Sequence, residues 1–225
     1  MVEWGSVESE VEMKEYQKIE TVYERDIEGT KRLIEGKFRN PIVEYLKDND
    51  WIFTEKIDGT NIRVVWNGHD FEFYGRTDNA SIPAFLFKKL QDIFCNDEME
   101  QMFEQLFNDT QVMICGEGYG NRIQKVGKEY ISDGVDFIVF DIVIHDFYLK
   151  RIDVEDICKK LNLNIVPIVL TGTIDDGVKY IKSTPYSIVG KCKMEGLVGV
   201  PKEPVCDRQG RRVIVKIKVK DFMGR

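Results

Sequence analysis

The chain has 225 residues, a net charge of −7 and 43% hydrophobic residues. A chain of this size buries about 70% of the surface that its unfolded form exposes, so its core needs neither disulfides nor a structural metal. The balance of charged and apolar residues is typical of a globular protein and excludes a wholly disordered chain, a collagen-like repeat and a coiled coil. With no apolar run near the roughly 20 residues of a membrane span and no signal-peptide pattern, we expect a cytoplasmic protein without a membrane partner.

Five cysteines and two histidines limit the chemistry that the chain can carry. The cysteines form no C-x-x-C pair and are odd in number, which is typical of reduced thiols and argues against a zinc site or a disulfide framework. Because His69 and His145 are the only histidines, histidine-centred metal sites and Ser-His-Asp triads have little support. We therefore expect chemistry that depends on lysine, arginine and carboxylates.

The first fifty residues are predicted to hold a polar segment and two helices. Residues 1–20 contain six Glu and two Lys, and we expect this acidic segment to be loosely held. Apolar residues recur at helical spacing over residues 25–36, and Pro41 is well placed for the first turn of a helix over residues 41–47. No linker or repeat interrupts residues 21–225, which we expect to form a single domain.

From residue 51 onwards, predicted strands are interspersed with helices. Residues 51–56, 61–66 and 70–74 are predicted strands, the last two forming a hairpin around Asn67 and Gly68. The remaining predicted elements are a helix over 81–107, strands over 112–115 and 137–144, a capped helix over 153–161, a helix over 175–182, and strands over 196–200 and 212–219. Since no regular βαβ alternation occurs, we expect an α+β fold with mainly antiparallel sheets.

Charge is distributed unevenly along the chain. In contrast to the acidic N-terminus, residues 202–220 hold seven Lys or Arg and two acids. Lys216 and Lys218 are two positions apart on the last predicted strand, so they share one face and can approach one phosphate group together. The acidic average therefore does not exclude a nucleic-acid partner.

The sharpest local pattern is EKIDGTN, residues 55–61, which places Lys56 at the end of one predicted strand and just before the next. Gly59 gives the backbone of this turn conformational freedom. A lysine attacks phosphorus only when its pKa is lowered, by partial burial or by neighbouring positive charge. Taken alone, a K-x-D-G pattern is most often a solvated turn lysine, since four-residue patterns recur by chance.

Five further patterns follow in order: FYGRTDN (73–79), GEGYG (116–120), FIVFDI (137–142), EGLVG (195–199) and IVKIK (214–218). The ordered set resembles the covalent nucleotidyltransferases, and specifically polynucleotide ligases of the RNA ligase 2 type, over residues 51–222. The resemblance implies an ATP-grasp-like nucleotidyltransferase domain, in which two mainly antiparallel sheets flanked by helices form the nucleotide pocket. It also implies ATP and Mg²⁺ or Mn²⁺ as cofactors.

The resemblance implies that Lys56 attacks the α-phosphate of ATP, forms lysyl-AMP and releases pyrophosphate. AMP then passes to a 5′-phosphate RNA end, and a 3′-hydroxyl displaces AMP to seal the strand. Lys216 and Lys218 would hold the α-phosphate, and one of them would help to lower the pKa of Lys56. Glu195 would position the metal, in part through water. Displacement at phosphorus requires chiefly that groups are positioned and charge is neutralised.

The same resemblance assigns other motif residues to the nucleotide. Glu117 would contact the ribose, and Phe140 would stack on adenine, although a phenylalanine in a buried strand is equally well explained as core. Glu55 and Ile57, which flank Lys56, would contribute to nucleotide binding. Roles for three further residues stay open: Asp58, Asp141 and Lys202.

Two residues are assigned both to the nucleotide and to the RNA end. Asn61 lies five residues after Lys56, where DNA ligases and capping enzymes usually carry arginine, and so favours the RNA ligase 2 group. Arg76 matches the family arginine that contacts the nucleic-acid end, and its guanidinium suits bidentate phosphate binding. Three basic residues of a later loop either extend this surface along the RNA backbone or are simply solvated: Arg122, Lys125 and Lys128.

Two departures from the family pattern leave alternatives open. First, Val200 stands where relatives often have a basic residue, and Lys202 follows two residues further on. Second, the chain ends shortly after the last motif, so we expect no appended C-terminal domain. A capping-type guanylyltransferase, or a module that binds nucleotides or RNA ends without sealing them, remains an alternative. We expect a monomer that acts in RNA repair on RNA ends in a nicked duplex, with a partner protein as a further source of substrate contacts.

Overall fold

The structure is a computed structural model that describes residues 14–223. The elements of the first half are β1 (Glu20–Thr21), β2 (Tyr23–Arg25), β3 (Leu33–Phe38), α1 (Pro41–Tyr45), β4 (Trp51–Lys56), β5 (Thr60–Trp66), β6 (Phe71–Gly75), α2 (Ala84–Phe94), α3 (Asp97–Phe107) and β7 (Val112–Gly120). Those of the second half are α4 (Gly127–Tyr130), β8 (Val135–Ile144), β9 (Phe147–Tyr148), α5 (Arg151–Lys160), β10 (Ile168–Gly172), α6 (Ile174–Lys182), β11 (Gly196–Pro201), β12 (Val215–Lys218) and α7 (Val219–Phe222). No helix within these residues is long and apolar enough to cross a membrane.

Two five-stranded sheets form the body of the protein. The strand order is β1-β12-β11-β4-β10 in the first sheet and β6-β5-β7-β8-β9 in the second. Neighbouring strands are antiparallel except β1 and β12, which pair in parallel. The hairpin β2–β3 forms a separate two-stranded sheet. The predicted α+β fold with mainly antiparallel sheets is confirmed.

Each sheet buries one face beneath helices. Helices α2, α3 and α5 pack on the second sheet, and α6 and the β2–β3 hairpin pack on the first. The other face of each sheet lines a cavity, as strand β4 shows. Successive side chains of a strand point to opposite sides of the sheet. Trp51 and Phe53 are fully buried beneath α6, whereas Ile52, Thr54 and Lys56 line a cavity between the two sheets.

Several predicted elements are found close to their expected positions. Strand β4 and helix α1 are present, and β5 and β6 form the expected hairpin. Its turn is centred on Gly68 and His69, one residue later than predicted, and Gly68 has a φ of +104°. Helix α6 begins with a capping box between Thr173 and Asp176, while α5 has no side-chain cap at Lys150, so the cap predicted for α5 is wrong.

Two helix predictions are wrong. Residues 25–36 form the end of β2, a turn and most of β3, because Asp26 accepts backbone hydrogen bonds from Gly29 and Thr30 and so turns the chain. The single helix expected over 81–107 is two helices, α2 and α3. Asn96 ends the first and caps the second by accepting a hydrogen bond from the Met99 amide.

Three strands also depart from the predictions. Strand β7 continues through GEGYG to Gly120, so Glu117 lies within the strand and not after it. The last strand is limited to Val215–Lys218, and Val219 begins the short helix α7. Strand β10 was not predicted at all, since Ile168–Gly172 is an edge strand with partly exposed side chains.

The described part of the N-terminal segment is held firmly, contrary to expectation. Tyr16 is 4% exposed, Gln17 donates through Nε2 to the Arg212 carbonyl at 2.9 Å, and Ile19 packs beside Tyr16. Glu20 and Thr21 then add β1 to the edge of the first sheet. Residues 1–13 of the predicted acidic segment lie outside the described residues.

Candidate active site

The two sheets enclose a cavity of about 380 Å³, a size suited to a small-molecule ligand. Thr54, Lys56 and Lys216 line it from the first sheet, and Glu117 and Phe140 line it from the second. The first sheet thus brings to one cavity two lysines, Lys56 and Lys216, that are 160 positions apart in the sequence.

Lys56 lies at one end of the cavity in a cluster with Glu195 and Lys218. Lys56 Nζ is 2.6 Å from Glu195 Oε2, and Lys218 Nζ is 2.5 Å from Glu195 Oε1. The strand register explains this arrangement, because Gly196 pairs with Lys56 on one side and with Lys218 on the other. Glu195, directly before Gly196, therefore lies between two lysines, and the cluster carries one more positive than negative charge.

The electrostatics of the two cavity lysines differ. Burial alone would lower the pKa of Lys56, but the nearby carboxylates of Glu195 and Glu117 outweigh it and raise the pKa. In this arrangement the net shift of the Lys56 pKa is upward, and the lowering of this pKa by a neighbouring lysine stays a prediction. Burial, reinforced by Lys218 and Lys56, lowers the pKa of Lys216.

Glu117 and Asn61 face the cavity from neighbouring strands. They pair directly across β7 and β5, so their side chains share one face of the second sheet. Burial raises the pKa of Glu117 to about 8, although Lys56 opposes the shift. Asn61 Oδ1 is buried and lacks a hydrogen-bond partner within residues 14–223. An unpaired buried acceptor beside a cavity favours a ligand that donates a hydrogen bond.

The turn after Lys56 fits closely against β7. A Cβ at Gly59 would lie 2.3 Å from the Gly118 carbonyl oxygen, so only glycine allows this approach. Ile57 is 3% exposed and packs with Tyr119 beside the cavity. The close packing fixes the turn that positions Lys56.

Glu55, assigned to nucleotide binding by the resemblance, is 2% exposed, and its carboxylate is already engaged. It accepts hydrogen bonds from the Ser187 hydroxyl and from the Ile188 amide, the latter at 2.8 Å. Burial raises its pKa, and these hydrogen bonds act in the opposite direction. The side chain therefore fixes the segment around Ser187 relative to β4.

Phe140 and Asp141 are adjacent in β8, yet both line the cavity. The register of β8 against β7 shifts here, since Cys115 pairs with Asp141 and Gly116 pairs with Val139. Phe140 is thus the extra residue of a β-bulge, which turns two successive side chains towards the same side. This geometry gives both residues access to a ligand in the cavity.

Asp141 belongs to a second charged cluster, which the sequence did not reveal. Arg212 Nη1 and Nη2 lie 2.7 and 2.6 Å from the two Asp141 oxygens, and the Tyr16 hydroxyl donates to Asp141 Oδ2 at 2.6 Å. The Arg212 guanidinium lies 4.0 Å from the centre of the Tyr148 ring, and the Tyr16 ring packs edge-on against Phe140. Burial, followed by the charge of Asp141, raises the pKa of Tyr16 well above its ordinary value.

Arg76 lines the cavity from the exposed turn after β6. The fully buried Arg63 holds this turn from below: its Nε donates to the Gly75 carbonyl at 2.8 Å and its Nη2 donates to Asp78 at 2.6 Å. Sequence reasoning missed Arg63, although a charged residue inside the apolar run of β5 was a usable signal. Arg212 lies in the predicted last strand, where basic and apolar residues alternate, so the sequence did not distinguish it from an exposed basic residue.

Val200 pairs with Ile52, four residues before Lys56 on β4, and Val200 and Lys202 both line the cavity. Lys202 is exposed, with its Nζ 3.7 Å from Asp50. Within the described residues there is no group of three or more His, Cys, Asp or Glu side chains that could hold a metal ion. The carboxyl groups of Glu195, Glu117 and Asp58 all act on the charge of Lys56, and Glu195 is the one that forms an ion pair with it.

A family model described as RNA ligase matches residues 49–218. No curated protein sequence matches the chain. Solved structures of Naegleria gruberi RNA ligase share the fold. The structure with PPi has a TM-score of 0.60 and 23% sequence identity, and the match covers 79% of this chain and 52% of that chain. The structure of a lysine-to-alanine variant with ATP and Mn has a TM-score of 0.65 and 21% sequence identity, and the match covers 92% of this chain and 56% of that chain. The chain thus spans about half the length of these ligases. Because the family model covers most of it, the chain belongs to the RNA ligase family.

Proposed function

We propose that the protein is an ATP-dependent RNA ligase that joins 3′-hydroxyl and 5′-phosphate RNA ends through a lysyl-AMP intermediate on Lys56. The observation that carries this proposal is the cluster at one end of the cavity. There Lys56 Nζ lies 2.6 Å from Glu195, and Lys218 lies on the other side of the same carboxylate. The family membership and the ATP named with a similar Naegleria structure support it.

The first step forms a bond between Lys56 Nζ and the α-phosphorus of ATP and breaks the bond from that phosphorus to the departing pyrophosphate. The lysine must first lose a proton, because its pKa is raised in this structure. Glu195 Oε2 lies 2.6 Å away and holds the ammonium in place until its proton passes to solvent. Lys218 and Lys216 are placed to offset the negative charge that develops on the phosphate oxygens.

We assign the divalent metal to Glu195. A Mg²⁺ ion binds through one or two carboxylates and phosphate oxygens and keeps several waters, so the Glu195 carboxylate beside the two lysines fits it. When bound, the metal neutralises phosphate charge and favours the uncharged form of the neighbouring lysine. Mn²⁺ is named with the similar Naegleria structures and suits the same oxygen ligands.

We assign the nucleoside to the part of the cavity between Phe140 and Lys56. The Phe140 ring supplies an aromatic face for adenine, and its edge-on contact with Tyr16 fixes its orientation. Glu117 and the unpaired Asn61 Oδ1 lie on one face of the second sheet, where ribose hydroxyls can donate to them. Ile57 and the backbone beside Glu55 complete the nearby wall.

The second and third steps require an RNA end at the same phosphorus. Arg76 is exposed at the rim and can bind the 5′-phosphate or the joining strand through its guanidinium, while Asn61 lies near the same opening.

We expect Arg76→Ala to retain self-adenylylation and to lose end joining. Normal sealing by this variant would refute the assignment. A nicked RNA duplex is the proposed substrate of the monomer, and a partner protein is a candidate source of further contacts.

Incubation with α-labelled ATP and Mg²⁺ tests the function. The wild type should acquire label and seal a nicked RNA, and Lys56→Met should do neither. Preferential labelling by GTP would favour a capping-type guanylyltransferase. Binding of a pre-adenylylated nick without sealed product would favour a module that only binds RNA ends.

A further inference from the structure

Two surface segments are tied to the residues on either side of Lys56. In residues 121–131, Gln124 Nε2 donates to the Gly59 carbonyl at 3.0 Å, and the Tyr130 hydroxyl accepts from the Asp58 amide at 3.3 Å. In residues 183–193, the amide of Ile188 donates to Glu55 at 2.8 Å. The two segments therefore frame the turn that carries Lys56.

The same two segments are packed against each other. The Lys191 amide donates to the Glu129 carbonyl at 2.8 Å, and Val189 packs in one apolar cluster with Tyr130. Gly190 lies so close to Tyr130 that an added Cβ would be 2.7 Å from the ring. These contacts make the segments one continuous surface beside the cavity.

This surface is strongly basic, whereas the chain as a whole has a net charge of −7. The two segments hold five basic residues and one acidic residue, Glu129. The basic residues are all exposed: Arg122, Lys125, Lys128, Lys191 and Lys193. None of these five is among the described residues that line the cavity.

An aromatic side chain accompanies the basic residues. Tyr186 is 63% exposed, and Lys193 Nζ lies 3.5 Å from the centre of its ring. Lys193 also donates to the Thr184 carbonyl at 3.3 Å, which holds the pair in place. Lysines together with an exposed aromatic ring are the combination that binds a phosphate backbone and an unpaired base.

We propose that residues 121–131 and 183–193 together form a docking surface for the phosphate backbone of RNA next to the end that is joined at Lys56. The proposal rests on the proposed ligase function and names the residues that hold its substrate. The lysines contribute sequence-independent attraction to RNA phosphates, and Tyr186 offers a stacking face beside the joint.

The test compares two charge-matched double variants of the full chain. Lys125→Gln/Lys191→Gln removes one basic residue from each segment. Lys88→Gln/Lys159→Gln, the control, removes exposed lysines from α2 and α5 on the outer side of the second sheet. Binding of a nicked RNA duplex is measured by fluorescence anisotropy between about 50 and 200 mM salt. Self-adenylylation with labelled ATP and sealing of a pre-adenylylated nick are measured in parallel.

We expect the first variant to bind nicked RNA about tenfold more weakly than wild type at the lowest salt, with a log–log salt slope smaller by about two. Its sealing of the pre-adenylylated nick at limiting RNA should fall in proportion, and its self-adenylylation should match the control. A third variant, Tyr186→Ser, should weaken binding about threefold without changing the salt slope, since stacking releases no counterions.

Wild-type affinity and salt slope in Lys125→Gln/Lys191→Gln would overturn the proposal. An equal loss of self-adenylylation and sealing would also overturn it, because these lysines would then act on the nucleotide. Failure of the wild type to label with ATP would instead refute the ligase function. The RNA-binding comparison would still decide whether this surface binds RNA.

Discussion

The cavity holds two charged clusters that look alike in their contacts and differ in their charge balance. At one end, Glu195 is shared by Lys56 and Lys218, so two cations surround one anion. Beside Phe140, Asp141 pairs with a single cation, Arg212, in a two-bonded contact. The difference separates their roles: a cluster with excess positive charge is incomplete without an anionic ligand, whereas a balanced pair is complete within the protein.

The balanced cluster connects distant parts of the chain. Tyr16 belongs to the N-terminal segment, Asp141 to the second sheet, and Arg212 to the approach to β12. We infer that this cluster holds the cavity walls together, while the Glu195 cluster carries the chemistry. Variants in the two clusters should therefore fail in different ways.

Glu195→Ala should have the largest effect, and it should be on activity. Loss of the carboxylate leaves Lys56 and Lys218 without their shared partner and removes the assigned metal ligand. We expect self-adenylylation to fall by about 10²–10³-fold, the range seen when one electrostatic contact to a transition state is removed. Rates of label transfer from ATP give the comparison. Glu203→Ala, at an exposed carboxylate, is the control and should label at the wild-type rate.

Asp141→Leu and Arg212→Met should each act mainly on stability. Each single change leaves one buried charge unpaired, which costs about 3–5 kcal/mol of the free energy of unfolding. The double variant Asp141→Leu/Arg212→Met removes both charges and should recover most of that loss. Urea denaturation measures all three. A double variant that is no more stable than either single one would refute the interpretation of this cluster as a balanced pair.

Glu117→Gln should change how stability depends on pH. Burial raises the pKa of Glu117 from 4.5 to about 8, so the folded protein holds a proton that the unfolded chain releases in this range. Folding therefore takes up a proton between these values, and the wild-type free energy of unfolding falls as the pH rises through them. The glutamine variant cannot titrate and should gain stability relative to wild type on going from about pH 5 to about pH 9. Urea unfolding at both values tests this, and a constant difference would contradict it.

Tyr16→Phe should have the smallest effect. It keeps the ring that packs against Phe140 and removes only the hydroxyl that bonds Asp141 and Arg212. Hydrogen bonds to charged groups contribute about 1.5–3 kcal/mol, so we expect a stability loss in that range with little change in the rate of self-adenylylation at saturating ATP. Urea denaturation measures this loss. In the same measurement Tyr45→Phe, which changes an 85% exposed tyrosine, should leave the free energy of unfolding unchanged. A Tyr16→Phe protein that is as stable as wild type would show that the hydroxyl contributes nothing to the cluster.

The sequence predicted those parts of the site that follow from local patterns. The alternation in the last strand predicted that Lys216 and Lys218 share a face, and the ordered motifs placed Lys56 and Glu195 in one pocket. The sequence could not reveal the Asp141–Arg212 pair, because it joins residues 71 positions apart across two sheets and depends on the β-bulge at Phe140. The raised pKa of Lys56 likewise depends on strand register.

The errors in secondary structure have a similar origin. Apolar residues over 25–36 are spaced as in a helix, but the Asp26 side chain binds the amides of Gly29 and Thr30 and turns the chain into a hairpin. Turn chemistry at one aspartate thus overrides the apolar spacing. The edge strand β10 lacks a clear pattern because its side chains are only partly buried.

The most direct test of the account is to locate the AMP after incubation with ATP and Mg²⁺. Peptide mass spectrometry of the wild type should find AMP on Lys56, and Lys56→Met should carry none. Absence of AMP from folded wild-type protein, or its attachment to a different residue, would contradict the claim that this cavity performs lysine adenylylation.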